Sequence, residues 1–435
     1  MQVWSGGVPV TRRTRWASVL LLFVASVALP ASAQPRPFGD TQVFARVGDP
    51  GQPEGIALDS RGRVYVSTNN RGKGGPGPSK IFRYSPAGRL EREYVAAGQH
   101  LDRDHGLLGI AFDDADRLYV MDSDPARVLR IDVESGRQET YATIPNLPAC
   151  GPNAVPDGNC EPGAQDTTPW PNWPVFDAVG NLYVTDLHQA TIWKVAPGGG
   201  TAVAWHQSGD YQSVFSLNGI QFDRRDGSLV FVLTGAFAPG SPARGIIYRL
   251  QVRPDGSPGE RRVVAQTAPA EGPDGLAIAQ SGRIYVALVT SSHILVLEPD
   301  GTEVARVPDP VANRQQQIPY DAPASIAFRG TSILVTNHSY FTANPESWAV
   351  LDMAVDELGM ELYRPHMADS PTPAGPANNL GGPQFPSGSP PTDATPAGSL
   401  PASGPPPWMP LGGLAAIGSA GLLHRLWHRR AQRPA

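Results

Sequence analysis

The sequence predicts an all-β fold, a six-bladed β-propeller of four-stranded blades, from three observations. A strand–turn–strand unit recurs six times: PEGIALDSRGRVYV, LLGIAFDDADRLYV, PNWPVFDAVGNLYV, LNGIQFDRRDGSLVFV, PDGLAIAQSGRIYV and PASIAFRGTSILV. The equivalent head positions are Glu54, Leu108, Asn172, Asn218, Asp274 and Ala324, with spacings of 54, 64, 46, 56 and 50 residues. That period with strand content describes propeller blades rather than a helical solenoid. A second strand pair follows several units, as in KIFRYSPAGRL, RVLRIDVESGRQ, TIWKVAPGGG, IIYRLQVRPDG and HILVLEPDG. Third, no long amphipathic helical pattern interrupts the series.

The first strand of each unit is short, apolar and rich in β-branched residues, which suits an innermost, fully buried position. Its turn carries the Asp, Asn and Gly that tight turns favour. Six such units close a ring without free inner edges, and residues 41–47 supply the outermost strand of the last blade. Short turns share one plain face, where the acidic turn Asp113, Asp114 and Asp116 is expected to be solvated. Long connections at 69–79, 143–169, 235–245 and 308–322 share the opposite face. Loops of that length are often functional. Each innermost strand begins beneath them.

The flanks read differently from the repeats. Residues 1–33 form an export signal, with Arg12, Arg13 and Arg15 before an apolar run and Ala31-Ser32-Ala33 as cleavage site. The paired arginines suit twin-arginine export and equally a general secretory route. Residues 34–366 are the propeller. Residues 367–407 are a Pro/Gly/Ser-rich, disordered spacer that buries no core. Residues 408–435 are a hydrophobic segment with a basic tail. The LPASG run at 400–404 resembles a sortase sorting signal, although Ser403 stands where threonine is usual. A plain carboxy-terminal membrane anchor reads equally well, since the flanking arginines suit a cytoplasmic end. Either reading expects an exported, monomeric domain tethered at the cell surface, in the membrane or on the cell wall. In that oxidising setting Cys150 and Cys160 are expected to form a local disulfide. A formal net charge of −5 excludes the basic stripe of a nucleic-acid-binding protein.

Four of the six head positions carry an oxygen donor, and a radial arrangement brings Glu54, Asn172, Asn218 and Asp274 to one axis. Any one such residue at a strand start more often bonds neighbouring backbone. Four in register favour a shared metal. Two carboxylates and two amide carbonyls suit Ca²⁺, or another hard divalent cation, better than zinc. His105, just before the second unit, is a candidate general base. His188 and His338 also follow strands near the loop face. Trp170 and Trp173 flank Asn172, as pocket wall or as inter-blade packing. Leu108 and Ala324 leave part of the ring apolar, able to hold a ligand's carbon skeleton.

The PEG, PN, NG and PDG motifs at Glu54, Asn172, Asn218 and Asp274 resemble the senescence marker protein/gluconolactonase/luciferin-regenerating enzyme family of calcium-dependent propellers. The resemblance spans residues 43–365. It implies that these four residues are metal ligands, Asn172 at or beside the ion, and that Asp274 also serves as base or nucleophile. It further implies a calcium-dependent hydrolase acting on a lactone or related ester. Trp173-Pro174 follow Asn172 where the family often has aspartate, so the pocket need not resemble that of a sugar lactonase. The alternative is a non-catalytic displayed propeller, binding a glycan, peptide or small molecule around structural calcium.

Overall fold

The computed structural model describes residues 1–4, 6–7, 36–69, 77–102, 105–151, 155–162, 166–235 and 244–368. The export signal, the spacer, the sorting-like motif and the hydrophobic segment fall essentially outside these residues. So does a second unit, 372–435. No helix among the described residues is long and apolar enough to cross a membrane.

Six four-stranded antiparallel blades follow one another along the chain. Their innermost strands are Pro53–Leu58, Leu107–Phe112, Pro171–Phe176, Phe215–Asp223, Pro273–Ile278 and Pro323–Arg329. Each innermost strand adjoins the next, and the sixth adjoins the first, so the ring closes. Closure is covalently offset. Thr41–Arg46 pairs with Ala349–Ala354 as the outermost strand of blade six, as expected from the sequence. One feature was not foreseen: Gly200–Thr201, from the outer turn of blade three, pairs parallel to Gln138–Thr143 and adds a fifth strand to blade two.

The cores lie between blades. One joins Tyr119 and Tyr141 of blade two to Phe176, Leu182 and Trp193 of blade three. The next joins Tyr183 of blade three to Phe222, Phe231 and Tyr248 of blade four. On the plain face a turn aspartate repeats with one job. Asp113 accepts the backbone N–H of Ala115 and Arg117, while its other oxygen accepts from Arg117 Nε at 2.7 Å and Tyr119 Oη at 3.1 Å. Asp59 does the same with Arg61, Arg63 and Tyr65. The expectation that the acidic turn is solvated therefore fails for Asp113, which is fully buried. A buried carboxylate is tolerable there because an arginine and several donors satisfy it.

On the loop face the cysteine loop is closed by a Cys150–Cys160 disulfide. The connection at 308–322 contains a one-and-a-half-turn helix, Pro310–Gln315, capped by Asp309 accepting from Val311 and Ala312.

Residues 355–368 form a strap across the plain face. Met360 donates its N–H to Ile278 of blade five, Arg224 of blade four pairs with Glu361 at 2.9 Å, and Arg364 reaches Leu58 and Asp116 of blades one and two. Beneath the strap the axis holds a cavity of about 690 Å³ walled by Ile56, Ile110, Val175, Ile220, Leu276 and Ile326. Gly359 of the strap lies tight against blade six: a Cβ there would sit 2.2 Å from Phe328 Cβ. Overpacking of this kind costs about 1–3 kcal/mol, so Gly359→Ala should lower the urea midpoint without altering the loop face, checked by denaturation and by calcium titration.

Candidate metal centre

Every innermost strand is interrupted at the same place. Its pairing to the second strand slips between Pro53 and Ile56, Leu107 and Ile110, Pro171 and Pro174, Leu217 and Ile220, Pro273 and Leu276, and Pro323 and Ile326. Each bulge contains the head residue. A bulge re-aims a side chain and leaves ladder groups unpaired, and hydroxyls on the second strand take up those groups. Gly55 donates to Ser67 Oγ at 2.8 Å, Trp173 to Thr185 Oγ1 at 3.1 Å, and Ser325 to Thr336 Oγ1 at 2.9 Å. The same hydroxyls donate onward to the next blade. Ser67 bonds the Leu108 carbonyl, Thr185 that of Asn218 at 2.6 Å, and Thr336 that of Glu54 at 2.7 Å. Thr234 bonds the carbonyl of Pro273, next to Asp274, at 2.8 Å.

The glycine after the head has a matching reason. A Cβ at Gly55, Gly109, Gly219 or Gly275 would fall 2.2 to 2.7 Å from the head carbonyl of the neighbouring blade. Only glycine allows so close a backbone approach.

Glu54, Asn172, Asn218 and Asp274 line one axial cavity on the loop side, as the register predicted. All four are buried. The side-chain oxygens Asn172 Oδ1, Asn218 Oδ1 and Asp274 Oδ1 have no hydrogen-bond partner among the described residues. Asn218 is oriented by its own amide, which donates to Thr234 Oγ1 at 3.2 Å, leaving the carbonyl oxygen for the cavity. Leaving such groups unsatisfied costs about 1–3 kcal/mol each. A hard cation would satisfy all three at once.

The electrostatics agree. Burial pushes Glu54 well above the usual carboxylate range, and the charge of Asp274 pushes it further. Burial likewise raises Asp274, opposed by the Asn218 amide. No Lys or Arg lines the cavity among the described residues. The nearest nitrogen base is His338, whose Nδ1 lies 3.2 Å from Glu54 Oε2. Burial lowers His338 to about 3, so it is neutral and its buried Nε2 has no partner among the described residues. Two carboxylates therefore face one another without a compensating charge. Among the described residues no three His, Cys, Asp or Glu side chains group as a metal site. The donor set here is instead two carboxylates and two amides, the oxygen chemistry of Ca²⁺.

The other sequence candidates separate. His105 does not line this cavity; its Nε2 lies 3.1 Å from the Gly77 carbonyl. His188 lies 3.2 Å from the Thr168 carbonyl and stacks near Trp170. Trp170 is a cavity wall, whereas Trp173 packs between blades three and four. Leu108 lines the cavity; Ala324 is buried but does not. Sequence reasoning missed the bridging hydroxyls. Their signal was present as VYVS, LYVT and LVT at one place in three second strands, with Thr234 two residues beyond that place in blade four.

Comparison with known proteins agrees with the fold. Residues 217–336 match the profile of the SMP-30/Gluconolactonase/LRE-like region, which is related to gluconolactonases. No curated protein matches the chain in sequence. A luciferin-regenerating enzyme superposes with a TM-score of 0.50 at 15% identity, covering 75% of this chain and 100% of that one. Regucalcin from Agrobacterium tumefaciens, described as calcium-binding, gives 0.49 at 19% identity over 74% and 99%. A gluconolactonase from Xanthomonas campestris gives 0.47 at 16% over 74% and 99%.

The raised carboxylates have a signed consequence. A folded-state value above the unfolded one stabilises the fold at low pH and loses that contribution as pH rises through the folded value. The chelated protein should therefore lose thermal stability as pH rises above the ordinary carboxylate range. Millimolar calcium should remove that loss and release protons on binding. Melting curves with and without chelator, and calorimetry in two buffers of different ionisation enthalpy, check both.

Proposed function

With residues 217–336 read as an SMP-30/gluconolactonase/LRE-like region, we propose that the chain is a calcium-dependent hydrolase of lactones or related esters. The observation that carries this reading is the convergence of three unpartnered oxygens and two uncompensated carboxylates at the loop end of the axis. Glu54, Asn172, Asn218 and Asp274 would hold the cation. When bound, it supplies a Lewis acid that polarises a carbonyl oxygen and favours an adjacent hydroxyl nucleophile.

The chain's own groups divide the remaining work. The bulges and bridging hydroxyls hold the four donors in place before substrate arrives, so little reorganisation accompanies reaction. Asp274 would give one carboxylate oxygen to the cation, and its other oxygen would orient the attacking water or accept its proton. Neutral His338 steadies Glu54 through Nδ1 and presents Nε2 as a further acceptor. The strap bears on the opposite end of the axis, and the loop face is the approach. The export signal and carboxy-terminal segment fit a tethered enzyme outside the cell, a reading that rests on the sequence.

Chelation should abolish turnover of a lactone and arylester panel, and calcium should restore it. Asp274→Asn should lower kcat by about 100-fold or more, the scale of a lost general base, with an unchanged circular dichroism spectrum. A calcium-loaded protein that turns over nothing in the panel, yet retains a ligand unchanged, overturns hydrolysis in favour of a binding propeller.

A further inference from the structure

Aromatic and aliphatic side chains stand around the four oxygens. Innermost strands begin on the loop face and second strands end there, so residues just before the heads and just after the second strands stand outside the donors. Trp170 precedes Asn172 by two positions, and Phe215 precedes Asn218 by three. Leu187, Val289 and Tyr340 follow Leu182–Asp186, Ile284–Leu288 and Ser332–Asn337. All five line the same cavity as the donors. Trp170, Leu187 and Val289 are buried, while Phe215 and Tyr340 are half-buried. Together they form an apolar collar through which a substrate must pass to reach the oxygens.

Besides the four donors, the polar side chains of the cavity are Asn69, Thr234, His338 and Tyr340. Thr234 Oγ1 accepts from Asn218 and donates to the Pro273 carbonyl. His338 Nδ1 is held at Glu54. No arginine or lysine among the described residues is present to grip a sugar hydroxyl or a carboxylate. The cavity itself, about 50 Å³, has room for an ion and a water or two, since a water occupies about 30 Å³ of liquid. The body of a substrate larger than that extends outward toward the loop face, against the collar.

We propose, resting on the hydrolase reading above, that the collar selects lactones or esters whose carbon skeleton is unsubstituted alkyl or aryl, and rejects aldonolactones. Burying an alkyl chain against Trp170, Phe215 and Tyr340 is favourable. A hydroxyl placed against Leu187, Phe215 or Val289 loses water and meets only carbon.

The test compares two δ-lactones with the same reacting centre, δ-octanolactone and glucono-δ-lactone, on the calcium-loaded full-length chain, with uncatalysed hydrolysis subtracted. The alkyl lactone should show a kcat/KM at least about 100-fold higher, the discrimination an apolar pocket achieves against added hydroxyls. Phe215→Asn should reduce that ratio by about tenfold through KM for the alkyl lactone, with calcium affinity unchanged. Equal or better turnover of glucono-δ-lactone overturns the proposal while leaving hydrolysis intact. If neither lactone is turned over, hydrolysis fails, and calorimetric titration of the two corresponding lactams decides the collar. Tighter binding of the alkyl lactam upholds it, and equal binding overturns it.

Discussion

A hydroxyl that accepts within its own blade and donates to the next is the interaction on which the axial site depends. Thr185 and Thr336 each take the N–H that a bulge has freed and pass a bond to the carbonyl of Asn218 or Glu54 in the following blade. Ser67 makes the same bridge to Leu108. Each bond contributes only about 0.5–1.5 kcal/mol, but the geometry matters more than the energy. It locks the backbone of one head residue to the second strand of its neighbour. The glycines after Glu54, Leu108, Asn218 and Asp274 make the approach close enough for that lock to form. Blades two, four and five carry Met121, Val232 and Ala287 where the others carry the hydroxyl; blade four reaches the next blade through Thr234, two residues further on, and the other two interfaces rely on apolar packing and close backbone contact.

The two ends of the axis treat buried charge in opposite ways. On the plain face the turn aspartates are matched. Asp59 pairs with Arg63, Asp113 with Arg117, and Asp223 with Arg225 and Arg249. On the loop side Glu54 and Asp274 have amides and a neutral histidine for company. The fold supplies an arginine to each of those three plain-face aspartates and none to this pair. The strap reinforces the division, because it ties blades one, two, four and five together beneath the matched end.

Much of this was legible in the chain. The recurring strand–turn–strand unit and its heads at Glu54, Asn172, Asn218 and Asp274 were readable because short apolar runs and turn chemistry are local properties. The outer strand Thr41–Arg46 followed from counting strands. What local patterning could not show was how aspartates of similar appearance differ. Asp113 looked like a solvated turn residue, and only the fold brings Arg117 and Tyr119 around it. Trp170 and Trp173 look alike in sequence and both pack into inter-blade cores, yet only Trp170 also lines the cavity of the donors.

The amino-acid order by itself determined the number of blades, their polarity, and which six side chains head the innermost strands. Those depend on apolar runs, turn residues and their spacing along the chain. The tertiary structure alone decided that the head residues sit in bulges, that hydroxyls from neighbouring blades hold them, and that an aromatic and aliphatic collar stands over them. Those features arise between residues up to 282 positions apart, and no local pattern encodes the distance at which they meet.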